Sequence, residues 1–264
     1  MGYIFDYTDS MASETWYTSR NYQRIKNRQG KLLMDLLKPR PSDSILDIGC
    51  GAGETLSYLA EQQGFQLSGL DPSTFMLDLA RQKLGQRVDL HQGMAEDLPF
   101  VDNAFNHSCL VTSLEFVDNP EKAIAEAARV AKDRLFIGAV NPYAATVKLK
   151  GASEVIERSV SSKAHLLSVW ELKDMIRSII GDVPVSWRTV NLMNPEPGGI
   201  FRWFEQLPFI RKMPFGSYLC MVVTLIPTYR VRPMTLKYVN NGATGIAGGQ
   251  CTTVKQKTVV HEKR

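Results

Sequence analysis

Three glycines at alternate positions, Gly49, Gly51 and Gly53, follow an apolar run that contains one acidic residue, Asp47. Glycine lacks a Cβ atom, so the backbone at these positions can turn sharply and lie close against a ligand. A helix that begins near Gly53 would point its free N–H groups at that ligand. The stretch therefore predicts a strand, a tight turn and a helix start that together hold a nucleotide-like cofactor.

Alternating strand and helix patterns fill residues 44–140. Apolar runs predict strands over Ser44–Ile48, Gln66–Leu70, Val88–Leu90, Asn106–Val111 and Arg134–Val140, and amphipathic spacing predicts helices over Gly53–Gln63, Thr74–Leu84 and Pro120–Ala131. This order favours right-handed βαβ units and a parallel sheet with helices on both faces. A ligand of such a sheet binds at the carboxyl ends of its strands, where the glycine turn is expected.

Weaker patterns flank this region. They predict helices over Thr18–Leu37 and Trp170–Ile180, and strands over Pro184–Val190 and Ser217–Ile226. We therefore expect an α/β, Rossmann-like, doubly wound sheet of about seven mostly parallel strands. An aromatic-rich cap and a flexible C-terminal tail are expected to complete it. In terms of domains, we expect a helical lid segment at residues 1–40, the main domain at 41–230 with variable cap segments at 141–168 and 191–215, and a basic tail at 231–264.

Two further motifs follow the glycine turn in order. Asp71 ends the second predicted strand, and a carboxylate there can accept hydrogen bonds from two ribose hydroxyls. Residues 92–100 follow the third strand, and the acidic pair Glu96 and Asp97 in this loop can accept the adenine amino group. The glycines run GxGxG, whereas dinucleotide-binding turns usually run GxGxxG.

With these motifs in order, the chain resembles the class I S-adenosylmethionine-dependent methyltransferases, in their small-molecule (UbiE-like, methyltransferase type 11) branch. The matching segments are the glycine motif at residues 47–53, the ribose acid at 70–73, the adenine loop at 95–100 and a fourth-strand motif at 104–117. The resemblance covers roughly residues 16–140 well and the C-terminal strands loosely. It implies that S-adenosylmethionine is the cofactor and that the activity is methyl transfer to a small molecule.

The resemblance also implies roles for single residues. Backbone at the three glycines would approach the methionine part of the cofactor, and Asp47 would hold the loop or the cofactor's ammonium. Asp71 would bind the ribose, and Glu96 or Asp97, with the backbone of Ala95, would bind adenine. Cys109 to Val111 would line the methyl side, and Cys50 is expected to be a small packing residue. The full implied set is Tyr17, Asp47, Gly49, Cys50, Gly51, Gly53, Asp71, Pro72, Ala95, Glu96, Asp97 and Val111. For Tyr17, packing against the first helix is as good an interpretation as a lid role.

No catalytic residue is assigned, because in-line methyl transfer mainly requires alignment of donor and acceptor and exclusion of water. A general base is needed only if the acceptor must lose a proton. His107, Glu115 and His165 are candidate bases, but His107 is better explained by packing within its strand, and Glu115 could equally cap or hold the next loop. His165, in the variable region over the site, is the better candidate. Asn106 stands where the family usually has an Asp that is structural or near the cofactor, so one carboxylate that could help catalysis is missing.

The acceptor is predicted from aromatic residues in two segments that fold over the acceptor pocket in related enzymes. These residues are Tyr3, Phe5, Tyr7, Trp16, Tyr17 and Tyr22, and then Phe201, Trp203, Phe204, Phe209, Phe215 and Tyr218. They favour a small apolar or aromatic acceptor, although they could instead form a second small core. Residues 201–213 mix bulky apolar side chains with cations, which also predicts peripheral contact with a membrane surface.

Three alternatives remain open. A non-catalytic protein could use the same pocket to bind S-adenosylmethionine, and an NAD(P)-dependent oxidoreductase could use a similar fold. The GxGxG spacing and the loop at residues 95–100 count against the oxidoreductase. A protein or RNA acceptor is disfavoured, because Asn141-Pro142-Tyr143 resembles the motif of amino-group methyltransferases only superficially and follows the fifth strand instead of the fourth.

Charge and cysteine usage bound the remaining possibilities. The net charge of +4 is concentrated after Arg230, so the body is close to neutral and a nucleic-acid groove is not expected. The four cysteines form no CxxC pair, which disfavours a zinc site or a disulfide framework and favours a reducing cytoplasm. No apolar run reaches the roughly 18 residues of a membrane span, and the first residues lack the pattern of a signal peptide.

Overall fold

The computed structural model describes residues 3–6, 20–62, 64–142, 165–190 and 216–226. All of them lie in a unit that runs from Met1 to Tyr229, and Arg230–Arg264 form a second unit. Tyr17, the cap segment at residues 191–215, most of the segment at 141–168 and the basic tail lie outside the described residues. The predictions made for them, including membrane contact by residues 201–213, stay predictions.

Twelve regular helices and strands follow one another in the described residues. The first half contains α1 (Arg20–Leu37), β1 (Ser44–Ile48), α2 (Glu54–Gln62), β2 (Gln66–Asp71), α3 (Thr74–Leu84) and β3 (Asp89–Gln92). The second half contains β4 (Phe105–Val111), α4 (Pro120–Val130), β5 (Ala131–Val140), α5 (Val169–Ile180), β6 (Val185–Val190) and β7 (Tyr218–Thr224). Short 3₁₀ turns at Gly85–Arg87 and Leu114–Phe116 precede β3 and α4.

The seven strands form one sheet in the order β3-β2-β1-β4-β5-β7-β6. Strands β1 to β5 pair in parallel, and β7 pairs antiparallel with both β5 and β6. The chain moves outward from β1 to β3 and then returns to β4 on the other side of β1. Ligands of open α/β sheets bind at such a switch point. The fold therefore places the candidate site beyond the carboxyl ends of β1 and β4.

Helices cover both faces of the sheet, and β5 shows why. Its Leu135 and Ile137 belong to a buried cluster with α4 and α5, whereas Phe136 between them belongs to a cluster with α1, α2 and α3. Successive side chains of a strand point to opposite faces, so a central strand buried on both sides reads as a continuous apolar run. This is why the apolar runs in the sequence predicted the strands well.

The predicted Rossmann-like sheet of about seven mostly parallel strands is confirmed. The strand bounds Ser44–Ile48 and the helix bounds Thr74–Leu84 agree with the predictions residue for residue, and β5 begins three residues earlier than predicted. Within the described part of the chain, no helix is long and apolar enough to cross a membrane.

Asn106 ties together the amino ends of three strands. Its Oδ1 accepts hydrogen bonds from the Ser44 backbone N–H and hydroxyl, both at 3.1 Å, and its Nδ2 donates to Asp133 Oδ2 at 2.9 Å. This end of the sheet is opposite to the glycine turn. Of the two roles that the family gives to this position, the contacts favour the structural one, and a second carboxylate here would face Asp133.

Replacing Asn106 with Asp should destabilise the fold by about 1–2 kcal/mol, because one donor is lost and two part-buried carboxylates are brought together. Urea denaturation measures this difference. The double variant Asn106→Asp, Asp133→Asn should recover most of the loss, since one donor and one acceptor again face each other. If the double variant is no more stable than Asn106→Asp alone, the contact between these two side chains does not explain the asparagine.

Candidate cofactor site

The glycine turn after β1 adopts a backbone that other residues rarely adopt. Gly49, Gly51 and Gly53 have φ angles of 72°, 52° and 76°. A Cβ built on Gly49 would lie 2.4 Å from the Cβ of Ser113, so the turn passes directly against the exit of β4. No described atom lies within 4 Å of a Cβ built on Gly51. The turn is thus closed on the side of β4 and open at its middle glycine, where a ligand can approach.

Asp71 connects this turn to the start of α3. Its Oδ2 accepts the Gly51 N–H at 2.8 Å, and its Oδ1 accepts the Ser73 N–H at 2.9 Å. Burial raises the pKa of the Asp71 carboxyl, and these two N–H donors oppose that shift. A carboxylate has about four lone-pair sites, so two of them stay available. The side chain can therefore accept further hydrogen bonds from a pair of vicinal hydroxyls such as those of ribose.

Asp47 lies beneath the glycine turn and is 1% exposed. Burial, and secondly the charge of Asp71, raise the pKa of its carboxyl to about 8. Among the described residues its Oδ1 has no hydrogen-bond partner. An isolated buried carboxylate is costly unless a cation or a donor reaches it. The ammonium of a methionine moiety is a group of this kind, so Asp47 fits the amino-acid end of the implied cofactor.

The loop after β3 contains the predicted adenine residues, and the structure separates the two acids. Glu96 Oε1 accepts the backbone N–H groups of Asp118 and Asn119 at 2.9 Å and 3.3 Å, so this carboxylate holds the segment before α4. Asp97 is exposed, and Ala95 is buried. Of the pair, Asp97 is therefore the better candidate for the adenine amino group.

A salt-bridged arginine that sequence reasoning missed holds this loop in place. Arg129 on α4 donates to the carbonyl oxygens of Leu98 and Phe100 at 3.1 Å and 2.7 Å, and it pairs with Glu126 and Asp102. Glu126 in turn accepts the Leu98 N–H at 2.9 Å. The spacing of Glu126 and Arg129 on one helix face was the available signal. Their attachment to a loop about 30 residues earlier was not readable from the sequence.

Residues 3–6 connect the two sides of the site. The Tyr3 N–H donates to the Phe116 carbonyl at 2.9 Å, and the Ser73 hydroxyl donates to the Phe5 carbonyl at 2.6 Å. The Tyr3, Phe5 and Phe116 rings contact one another, with centroids 5.0–6.4 Å apart. The start of the chain therefore links the corner after β2 to the exit of β4. Of the other predicted aromatics, Tyr218 is a buried residue of β7.

The candidate bases lie at different ends of the sheet. His107 Nε2 is 3.0 Å from Asp43 Oδ2, near the amino ends of β1 and β4, and burial lowers its pKa. Glu115 is buried just beyond the carboxyl end of β4, where its Oε1 accepts the Val140 N–H at 2.7 Å. Burial raises the pKa of Glu115 to about 7. His165 is exposed, and its backbone N–H donates to the Glu115 carbonyl. Of the three, only Glu115 offers a buried side chain beside the site.

The remaining predicted residues line or support the turn. Cys50 is buried in the cluster beneath the glycine turn, and burial raises the pKa of its thiol well above the ordinary value, which suits packing and not nucleophilic attack. Val111 ends β4, and Pro72 lies between Asp71 and Ser73. Among the described residues, no group of three or more His, Cys, Asp or Glu is arranged to hold a metal ion.

Comparison with known proteins agrees with this geometry. Residues 46–135 match the family model described as a methyltransferase domain. This span contains the glycine turn, Asp71, the adenine loop and β4. The part of the chain that holds the candidate site is thus similar to the methyltransferase domains of S-adenosylmethionine-dependent enzymes, and relatives from the small-molecule branch share its sequence.

Two relatives illustrate that branch. The chain is 30% identical to norajmaline N-methyltransferase of Rauvolfia serpentina over 170 residues, which are 62% of this chain and 51% of that protein. It is 32% identical to demethylmenaquinone methyltransferase of Renibacterium salmoninarum over 109 residues, which are 40% of this chain and 44% of that protein. The chain thus spans about half the length, or less, of these curated relatives.

Solved structures share the fold. Magnesium protoporphyrin IX methyltransferase of Synechocystis, which contains S-adenosylhomocysteine, aligns with a TM-score of 0.60 at 14% identity over 84% of this chain and 96% of that one. Geranyl diphosphate C-methyltransferase of Streptomyces coelicolor aligns with a TM-score of 0.54 at 20% identity over 78% of this chain and 81% of that one. These likenesses support the class I architecture.

Replacing Asp47 with Asn should stabilise the ligand-free protein at alkaline pH. A carboxyl with a pKa of about 8 when folded and an ordinary pKa when unfolded holds its proton more tightly in the folded state. Its contribution to stability is complete at acidic pH and is lost as the pH rises towards 8. We expect the wild type to lose roughly 2 kcal/mol of stability between pH 6 and pH 8 through this group, and Asp47→Asn to lose less.

Denaturant unfolding at both pH values measures this effect, with the exposed Asp89→Asn as the matched control. Equal pH dependence in the wild type and in Asp47→Asn would show that Asp47 is already ionised and paired in the ligand-free protein.

Proposed function

We propose that the protein catalyses S-adenosylmethionine-dependent methyl transfer to a small apolar or aromatic acceptor. The observation that carries the proposal is the pair of buried carboxylates around the glycine turn. Asp71 holds the Gly51 N–H and retains lone pairs for hydroxyls, and Asp47 has an oxygen without a partner among the described residues. Together they match a ligand that carries both a ribose and a cationic amino acid.

The same carboxylates disfavour a dinucleotide. A dinucleotide-binding turn receives a pyrophosphate at its glycines. Here Asp47 lies buried under that turn, and its ionised form would repel a pyrophosphate in surroundings of low polarity. The arrangement therefore supports a cofactor whose group at this point is positive or neutral. The buried Asp47 carboxyl and the GxGxG spacing therefore both disfavour an NAD(P)-dependent oxidoreductase.

When bound, S-adenosylmethionine supplies a methyl group that is already activated on a sulfonium sulfur. The residues of this chain then have three tasks. Asp71 and Asp47 fix the two ends of the donor, Arg129 holds the adenine loop in position, and Tyr3 with Phe5 excludes water from the side of Phe116. Alignment and exclusion of water account for most of the rate in such a transfer.

The proposal of an apolar or aromatic acceptor rests on the rim of the site. The Tyr3, Phe5 and Phe116 rings form an aromatic contact at the exit of β4, next to the expected position of the methyl group. Concave sites of this composition bind molecules with large apolar surfaces. Two relatives are named as methyltransferases for norajmaline and demethylmenaquinone, which supports a small-molecule acceptor for this chain. Three buried free thiols, Cys50, Cys109 and Cys220, favour a reducing compartment such as the cytoplasm.

Calorimetric titration with S-adenosylhomocysteine tests the cofactor site directly. We expect micromolar binding by the wild type and binding at least about tenfold weaker in Asp71→Ala, since two charge-assisted hydrogen bonds to the ribose would be lost. Asp71→Asn retains one acceptor oxygen for the backbone donors and should fall between the two. Asp89→Asn, on the neighbouring strand β3, is the control for a removed carboxylate and should bind like the wild type.

NADH is titrated in parallel. Binding of NADH without binding of S-adenosylhomocysteine would contradict the proposal and favour an oxidoreductase. Binding of S-adenosylhomocysteine that is equally strong in Asp71→Ala would contradict the role given to Asp71. Once binding is established, transfer of labelled methyl to naphthols and hydroquinones separates an enzyme from a protein that only binds the cofactor.

A further inference from the structure

Buried polar atoms without hydrogen-bond partners concentrate at the carboxyl end of the sheet. Within the described residues, Asp47 Oδ1, Ser113 Oγ, Glu115 Oε2 and Tyr218 Oη lie at this end, and His107 Nδ1 lies at the other. Asp47 lies under the glycine turn, and Ser113 contacts Gly49, so both belong with the cofactor. Glu115 lies in the fourth-strand motif at residues 104–117, but no role toward the cofactor has been given to it. A buried carboxylate oxygen that lacks a partner is costly and indicates an absent donor.

The geometry of the sheet explains why Glu115 is buried. Strands β4 and β5 pair as far as Val111 and Gly138, and Thr112 still donates to the Gly138 carbonyl at 2.7 Å. At Thr112 the chain turns away with a φ angle of 53°. The Val140 N–H thereby loses the carbonyl that a continued β4 would offer it. Glu115 Oε1 accepts this N–H instead, which leaves Oε2 as the oxygen to be explained.

The neighbours of Glu115 place it on the acceptor side of the site. Phe116, the next residue, contacts the rings of Tyr3 and Phe5. Val140, whose N–H Glu115 accepts, pairs with Tyr218 at the start of β7. Burial, then the charge of Cys220 and, less strongly, those of Glu115 and Asp47 raise the pKa of the Tyr218 hydroxyl. Glu115 thus lies beyond the exit of β4, on the side of Tyr218. In this fold the cofactor is expected nearer to β1 and β2.

We propose that Glu115 Oε2 accepts the hydrogen bond and then the proton of a hydroxyl on the methyl acceptor, so that the acceptor is a hydroxylated aromatic or otherwise apolar molecule. This inference rests on the proposed function and deepens it. A hydroxyl enters an apolar site as a neutral group, whereas an aliphatic amine enters as a cation and would have to leave more of its hydration behind. The rim formed by Tyr3, Phe5 and Phe116 favours the neutral group.

The step balances without any further reactant. The acceptor oxygen forms a bond to the methyl carbon, the carbon–sulfur bond breaks, and its electron pair stays on the sulfur as a thioether. The hydroxyl proton moves to the Glu115 carboxylate and later passes to water. The products are the methyl ether, S-adenosylhomocysteine and a proton, so the role of Glu115 is that of a general base.

Glu115→Gln separates this role from a structural one. The glutamine amide keeps an oxygen for the Val140 N–H but places an N–H₂ donor where Oε2 stood. Its stability and its affinity for S-adenosylhomocysteine should therefore stay close to those of the wild type. Glu121→Gln is the matched control, because Glu121 is an exposed residue in the first turn of α4.

The measurement is calorimetric binding of 2-naphthol and of its methyl ether, 2-methoxynaphthalene, with and without saturating S-adenosylhomocysteine. We expect the wild type and Glu121→Gln to prefer 2-naphthol by at least about tenfold, because only the hydroxyl satisfies the buried oxygen. In Glu115→Gln the two ligands should bind about equally. Labelled methyl transfer to 2-naphthol should fall in the same variant at unchanged cofactor affinity.

The outcomes separate this inference from the proposed function. Failure of the wild type to bind S-adenosylhomocysteine contradicts the proposed function itself. Normal cofactor binding contradicts the inference alone in either of two cases. In the first case, the wild type binds neither 2-naphthol nor 2-methoxynaphthalene, or it binds both with equal affinity. In the second case, Glu115→Gln still prefers 2-naphthol. A markedly lower unfolding temperature of Glu115→Gln would also contradict the inference, because it would show that the second carboxylate oxygen serves the fold.

Discussion

The Asp71 carboxylate is the contact on which the rest of the site depends. One of its oxygens accepts the N–H of the middle glycine of the turn after β1, and the other accepts the N–H of Ser73, the residue that caps α3. These two connections belong to adjacent strands, so a single side chain fixes how the glycine turn and α3 face each other. The glycines can then keep positive φ angles in a defined direction instead of sampling many. A ligand that binds Asp71 is therefore positioned relative to both the glycine turn and α3.

Buried acids gather at the same edge of the sheet, and together they describe a site that is complete only with its ligands. Burial raises the pKa of Asp47, Asp71 and Glu115, and no described lysine or arginine side chain is paired with any of them. At the opposite edge, Asn106 and His107 have partners in Asp133 and Asp43. Of the buried side-chain atoms without a hydrogen-bond partner among the described residues, His107 Nδ1 lies at the amino edge, and Asp47 Oδ1, Ser113 Oγ, Glu115 Oε2 and Tyr218 Oη lie at the carboxyl edge. Buried acids with raised pKa values are typical of functional sites.

The sequence predicted the layered fold well because local rules govern it. Apolar runs in central strands and amphipathic spacing in helices act over a few positions, so strand and helix bounds were readable. The first two cofactor motifs were readable for the same reason, since each follows directly from a strand end. Glu96 shows the limit: its carboxylate is engaged by residues 118 and 119, a contact that depends on how two loops meet in space.

The parts that the sequence did not reveal all depend on register between distant segments. Arg129 reaches a loop that precedes it by about 30 residues, and Asn106 faces Asp133 only because β4 and β5 pair in one particular register. The contact between Glu115 and the Val140 N–H can be inferred only when the position at which β4 ends beside β5 is known. The hydrophobic period and the composition of the sequence do not show which residues of two distant segments face each other, because a shift of the strand register by one residue changes every partner.

A crystal structure of the protein with S-adenosylhomocysteine tests the central claim most directly. We expect the ribose hydroxyls within hydrogen-bond distance of Asp71, the amino group at Asp47 Oδ1 and the sulfur facing the exit of β4, on the side of Glu115. A ligand that lies elsewhere on the sheet edge, or whose ribose contacts neither oxygen of Asp71, would contradict it.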